Sequence, residues 1–71
     1  MAEADEDPLT VLNTLIAQAE AHRVDQVLHI ADLLWKDQPA DGAERALKTI
    51  ETLLASMRAR QSVMLLERTR S

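Results

Sequence analysis

The sequence predicts an all-α protein, an antiparallel hairpin of two long helices, and three observations support this fold class. Apolar residues make up 46% of the chain and are mostly alanine and leucine, with one aromatic residue, which suits packed helices better than sheets. These residues recur at spacings of three and four, the period of one helical face. Two such segments flank a short stretch of turn-forming residues.

The first helix is predicted to span residues 8–37. Asp7 followed by Pro8 is typical of a helix start. The aspartate can cap the first turn, and proline lacks only an N–H that would have no partner there. The acidic segment 1–7 is predicted to form a disordered lead, because it offers no large side chain apart from Met1 to bury.

One apolar pattern continues along this helix from Leu9 to Trp35, and only the stretch 20–23 interrupts it. A single unbroken helix is therefore the simpler interpretation. The alternative is a three-helix protein with a break near residues 21–25, because Asp25 is a suitable cap for a separate helix.

The second helix is predicted to span residues 42–67. Pro39 ends the preceding helix, and Asp41 with Glu44 has the spacing of a capping box. The single domain thus covers 8–67, and the basic tail 68–71 is expected to fray. Six side chains of this helix alternate by three and four, which predicts a heptad seam: Leu47, Ile50, Leu54, Met57, Gln61 and Met64.

A hairpin of this size is expected to associate. A connection of about four residues makes the helices antiparallel, and a chain of 71 residues without cysteine has no disulfide to supplement a small core. Helix one carries apolar residues over more of its circumference than one neighbour covers. The sequence therefore predicts a homodimeric four-helix bundle and a protein partner, with contacts from Leu15, Leu28, Leu34, Trp35, Leu47, Ile50, Leu54, Met57 and Met64.

Trp35, the only aromatic residue, has two interpretations. It either plugs the turn end of the hairpin or anchors an interface, where tryptophan is enriched among the residues that dominate binding energy.

The one group with ligand-like chemistry is His22, Asp25, Gln26 and His29, whose spacings of three, four and seven place them on roughly one helical face. Seven residues separate the imidazoles by about 10 Å along a helix axis, so one helix cannot direct both to a single metal ion, and solvated histidines are the favoured interpretation. The carboxylates of helix two alternate with Arg45 and Lys48, as on a solvated face. The sequence predicts no enzyme, metal, cofactor or small-molecule substrate.

The favoured function is a non-enzymatic protein–protein interaction module that binds and modulates another protein. In architecture such chains resemble bacterial or phage anti-activators, inhibitors and secretion co-chaperones. The alternative is a nucleic-acid-associated transcriptional regulator that uses a basic C-terminus, although a net charge of −4 repels phosphate. The candidate basic contacts are Arg58, Arg60, Arg68 and Arg70.

A cytoplasmic location is expected. No apolar run approaches the roughly 18 residues needed to cross a membrane. The first residues are acidic, whereas a secretory signal begins with bases.

Overall fold

The computed structural model describes residues 7–70, which form two helices, α1 (Pro8–Trp35) and α2 (Asp41–Arg70). No strand occurs in this part of the chain. The predicted all-α helical hairpin is confirmed. The three-helix alternative is wrong, because α1 continues without a break through residues 21–25.

The start of α1 follows the prediction. The N–H of Leu9 donates to Oδ1 of Asp7 at 3.3 Å, and the N–H of Val11 donates to the Asp7 carbonyl at 3.0 Å. Pro8 occupies the first turn of the helix. The rest of the predicted acidic lead, residues 1–6, lies outside the described residues.

α1 ends two residues before the predicted residue 37. Asp37 has a φ of 59°, in the left-handed region, which aspartate tolerates better than most residues. The N–H of Asp37 donates to the Leu34 carbonyl at 3.1 Å, and that of Gln38 donates to Leu33 at 2.8 Å. This pair of bonds is a Schellman motif, which satisfies the last carbonyls of the helix and reverses the chain.

α2 is longer than predicted at both ends. It begins at Asp41, and the N–H of Glu44 donates to the Ala40 carbonyl at 2.8 Å. The predicted capping box with Asp41 as the N-cap is therefore wrong. Both acids lie instead in the first turn, where they complement the helix dipole. The C-terminal residues 68–70, predicted to fray, are helical.

The helices meet along two rows of side chains with alternating spacings of three and four, which we call the inward rows. Their members are buried or half-buried. The α2 row includes every residue of the predicted heptad seam. The inward row of α1 is Leu9, Leu12, Ile16, Ala19, Arg23, Gln26, Ile30 and Leu33. That of α2, which we extend to the residue just before the helix, is Ala40, Ala43, Leu47, Ile50, Leu54, Met57, Gln61 and Met64.

The best-buried part of this seam lies far from the turn. Leu12, Ile16, Ala19 and Leu54 form the core cluster, and Leu54 is only 2% exposed. Nearer the turn the α1 row becomes polar at Arg23 and Gln26. The two helices therefore share a small apolar core in the half of the hairpin that contains the N-terminus of α1.

Two polar side-chain bonds link the helices across the seam. The side-chain amide of Gln26 donates to the Ala43 carbonyl at 3.0 Å, and that of Gln61 donates to Oδ1 of Asn13 at 2.8 Å.

The thinnest principal dimension of the hairpin is 13 Å, the thickness of a single helical layer. Neither described helix contains a stretch apolar enough to cross a membrane.

Candidate interaction surface

A second set of apolar side chains runs along α1 on the side turned away from α2. Its central residues recur at spacings of four and three, and all of them are exposed. Val27 and Leu34 extend it along one edge. We call the central residues the outer row and the complete set the outer face; the outer row is Ala17, Ala21, Val24, Leu28, Ala31 and Trp35.

The outer row points away from α2 because of its position in the heptad. At 3.5 residues per turn, it lies roughly 150° around α1 from the inward row. Two apolar rows at this separation cannot both face the same neighbouring helix. The outer face therefore has no cover from residues 7–70 of its own chain.

The single apolar pattern predicted from Leu9 to Trp35 is thus two rows in the structure. Residues of its first half, such as Leu12 and Ile16, face α2, whereas Val24 and Leu28 of its second half face outward. Within each row the residues are three or four positions apart. The step from Ala19 to Val24 is five positions, and this longer step moves the apolar pattern from one side of the helix to the other. That five-residue step is the sequence signal for two faces.

Trp35 is the most exposed member of the outer face. Its side chain is 89% exposed at the last position of α1. The interpretation as a plug for the turn end is therefore wrong, because a plug would be covered by the residues it seals. Leu28 and Leu34 are 63% and 60% exposed. These three side chains give the outer face most of its accessible apolar area.

Charged side chains follow both edges of the outer face. Asp25 and Asp32 lie along one edge, where Asp32 pairs with Lys36 at 3.0 Å. Glu20 lies on the other edge and accepts a bond from Arg58 of α2. An apolar strip with charged borders is the usual composition of a protein interface and its rim.

The structure divides the predicted interaction residues into two groups. Leu15, Leu28, Leu34 and Trp35 are exposed on α1 and available to another chain. The five residues of α2 lie in the inward row, where they pack against α1. Of these, Leu54 is buried, and the half-buried ones are Leu47, Ile50, Met57 and Met64.

The sequence-based set missed the smaller residues of the outer face. Ala17, Ala21, Val24, Val27 and Ala31 were not predicted to contribute. The available signal was the alternating spacing of four and three at which Ala17, Ala21, Val24, Leu28 and Ala31 follow one another in the sequence. Exposed apolar residues of α2 do not form a comparable row, since Leu53, Val63, Leu65 and Leu66 lie at different angles around that helix.

The predicted basic contacts are partly occupied within the hairpin. Arg58 pairs with Glu20, and Arg68 pairs with Asp7. The hydrogen bond from Arg68, together with that from the Leu9 N–H, holds the pKa of Asp7 below its ordinary value. Two of the four arginines are therefore paired with carboxylates of α1 and its N-cap. Arg60 and Arg70 are exposed on α2.

The histidines of α1 lie on its surface. His22 and His29 are both exposed. Among residues 7–70, no three histidine, cysteine or carboxylate side chains come close enough to hold a metal ion. No polar side chain in that range is buried.

Comparison with known proteins gave no match to a protein-family model, a curated protein or a solved structure.

Proposed function

We propose that this chain is a non-enzymatic protein-interaction module that binds another chain along the outer face of α1 and modulates it. The observation that carries the proposal is the continuous outer row from Ala17 to Trp35, exposed at every position. At about 1.5 Å per residue this row is about 27 Å long. Contiguous exposed apolar surface bordered by polar residues marks interaction sites on proteins.

The chemistry of the outer face favours a helical partner. Its anchors recur at the spacings by which one helix inserts side chains between those of another. The alanines allow a neighbouring backbone to approach closely, and Trp35 supplies a large anchor. An inhibitor, an anti-activator and a co-chaperone would all use such a surface, and we propose the cytoplasm as its setting.

The nucleic-acid alternative has weaker support. Arg58 and Arg68 are engaged by carboxylates of α1, and the chain as a whole carries a net charge of −4. Binding to phosphate would have to break these ion pairs and overcome the net repulsion.

Site-specific photo-crosslinking tests the proposal with a matched control. A benzophenone amino acid replaces Leu28 in the outer face or Leu66 on α2, two leucines that are 63% and 62% exposed. In an extract of the cells that make the protein, we expect adducts from position 28 and few from position 66. Adding the Trp35→Ala change should reduce the adducts at position 28. Equal labelling from both positions would contradict the proposal.

A further inference from the structure

We infer that the occupant of the outer face is a second copy of this chain, packed so that the two α1 helices lie antiparallel. The inference rests on the proposed function, because it names the partner for the same surface. The order of helices in the dimer is α2, α1, the partner's α1 and the partner's α2. Three features of the outer face support this arrangement.

The first feature is the distribution of side-chain size along the outer row. Small residues, Ala17 and Ala21, occupy its N-terminal end, and the largest residue, Trp35, occupies its C-terminal end. In an antiparallel pair, Trp35 of each protomer lies over the partner's Ala17. A large side chain thus fills the space that a small one leaves, as close packing requires.

The second feature is that one register pairs the whole row. With a two-fold axis near residue 26, Ala17 meets the partner's Trp35, Ala21 meets the partner's Ala31, and Val24 meets the partner's Leu28. All six positions of the row then form layers. A shift by one heptad leaves two residues of each row without a partner, so the pattern itself selects this register.

A parallel pair fits the same row poorly. Trp35 would stand against the partner's Trp35, while Ala17 and Ala21 would face their own copies. Such a contact is overfilled at one end and leaves a gap at the other. It would also align the two helix dipoles in the same direction, whereas the antiparallel arrangement opposes them.

The third feature is the area that the outer face offers. Its five larger side chains, which are 40–89% exposed, are Val24, Val27, Leu28, Leu34 and Trp35. Together they present roughly 600 Å² per protomer, of which a tryptophan contributes about 200 Å². If pairing covered these side chains completely, they would contribute at most about 1,200 Å² of buried surface, the lower limit of stable specific interfaces. We therefore expect a dimer with a dissociation constant in the micromolar range.

One contact at the axis opposes the pairing and supplies a gain-of-affinity test. Asp25 is exposed on the edge of the outer face, and the antiparallel register places it beside the partner's Asp25. Like charges at an exposed position cost little, so the Asp25→Asn variant should dimerise about two- to five-fold more tightly. This effect does not depend on loss of folding, since it strengthens association.

Sedimentation equilibrium of the full chain tests the interface. We expect the Leu28→Ala variant to raise the dissociation constant of the dimer about 30-fold or more. The Trp35→Ala variant should raise it about 100-fold or more. The matched Leu66→Ala variant should leave the dimer unchanged. Circular dichroism of each variant establishes that the hairpin is folded. A dimer that is insensitive to both outer-face variants would overturn the inference.

Cysteine crosslinking tests the orientation, because the wild-type sequence contains no cysteine. A mixture of Gln18→Cys and Asp32→Cys chains, treated with a short bismaleimide, should form a heterodimer. Each variant alone should crosslink poorly, because two copies of residue 18 would lie about 24 Å apart along the axis. Efficient self-crosslinking at residue 18 would instead indicate parallel helices and overturn the inference.

The two proposals fail in different ways. A wild-type chain that stays monomeric at high micromolar concentration would overturn the second copy as occupant. If position 28 then crosslinks to a different protein, the proposed function stands. If the chain is monomeric and position 28 labels nothing above the position 66 control, both are wrong. The mass of the photo-adduct separates these cases.

Discussion

Replacement of Leu54 by alanine tests the assignment of the core. Leu54 is 2% exposed and belongs to the cluster with Leu12, Ile16 and Ala19. Removing three carbon atoms loses about 2.4 kcal/mol of burial at about 0.8 kcal/mol per methylene group. A cavity adds to this cost where neighbours cannot close it.

The position of Leu54 limits the cavity contribution. The half-buried side chains of Ile50 and Met57 border the cluster, and methionine in particular adapts to irregular gaps. We therefore expect a loss of about 2–3 kcal/mol, in the lower half of the 2–5 kcal/mol range for such substitutions. This is a large fraction of the roughly 4–10 kcal/mol that a domain of this length has in total.

Urea unfolding, followed by far-ultraviolet circular dichroism at one fixed chain concentration, measures the change. The concentration must be fixed because association would add to the apparent stability. The control is Leu66→Ala, a leucine 62% exposed on the same helix, which should change stability by no more than about 0.5 kcal/mol. A Leu54→Ala variant as stable as this control would refute the assigned core.

Three further substitutions test local features of the hairpin. Gln26→Leu should raise the free energy of unfolding, measured in urea, by up to about 1 kcal/mol. The Gln26 amide bonds the Ala43 carbonyl, which already accepts a helical hydrogen bond, whereas leucine would extend the apolar inward row. Asp37→Gly should raise the thermal midpoint, with a gain of about 0.5–1 kcal/mol, because glycine adopts the φ of 59° without strain. Asp7→Asn keeps the helix cap but loses the charge that pairs with Arg68. The pKa of Asp7 is lowered in the folded state, so its contribution is complete above the ordinary value of 3.8 and disappears as the pH falls through the lower folded value. Wild type should therefore exceed Asp7→Asn in stability at pH 7, and the difference should vanish in strong acid; a constant difference across pH would contradict the ion pair.

Local signals in the sequence predicted the elements well. The start of α1 followed from the Asp7–Pro8 pair, because both residues act within one helical turn. The α2 seam followed from a single clean heptad row. The end of α1 was two residues off, because Asp37 and not glycine takes the left-handed position. The start of α2 was misjudged because the capping-box spacing did not show which residue would be the N-cap.

The sequence could not show which side of α1 faces α2. Both rows of α1 have heptad spacing, and the outer row is entirely apolar, whereas the inward row includes Arg23 and Gln26. Hydrophobicity alone therefore favours the wrong row in the second half of the helix. The decision depends on the first half, where Leu12 and Ile16 pack against α2 and a straight helix must continue from them.

The distance between the core and the turn affects how the hairpin closes. The nearest core residues on the two helices, Ala19 and Leu54, are separated by a loop of about 34 residues, not by the short turn itself. Closing such a loop costs about 2 kcal/mol more entropy than closing one of four residues. The larger inward side chains near the turn, Ile30, Leu33 and Leu47, are only half-buried, so the folding barrier is expected to depend on helix formation and late docking of the chain ends.

The same geometry leaves the last turns of α1 less firmly held than the turns that carry the core cluster. Their backbone amide hydrogens should therefore exchange with solvent faster than those between Leu12 and Ala19. The segment that carries Leu28 and Trp35 can thus adjust its angle to a bound helix with little disturbance of the core.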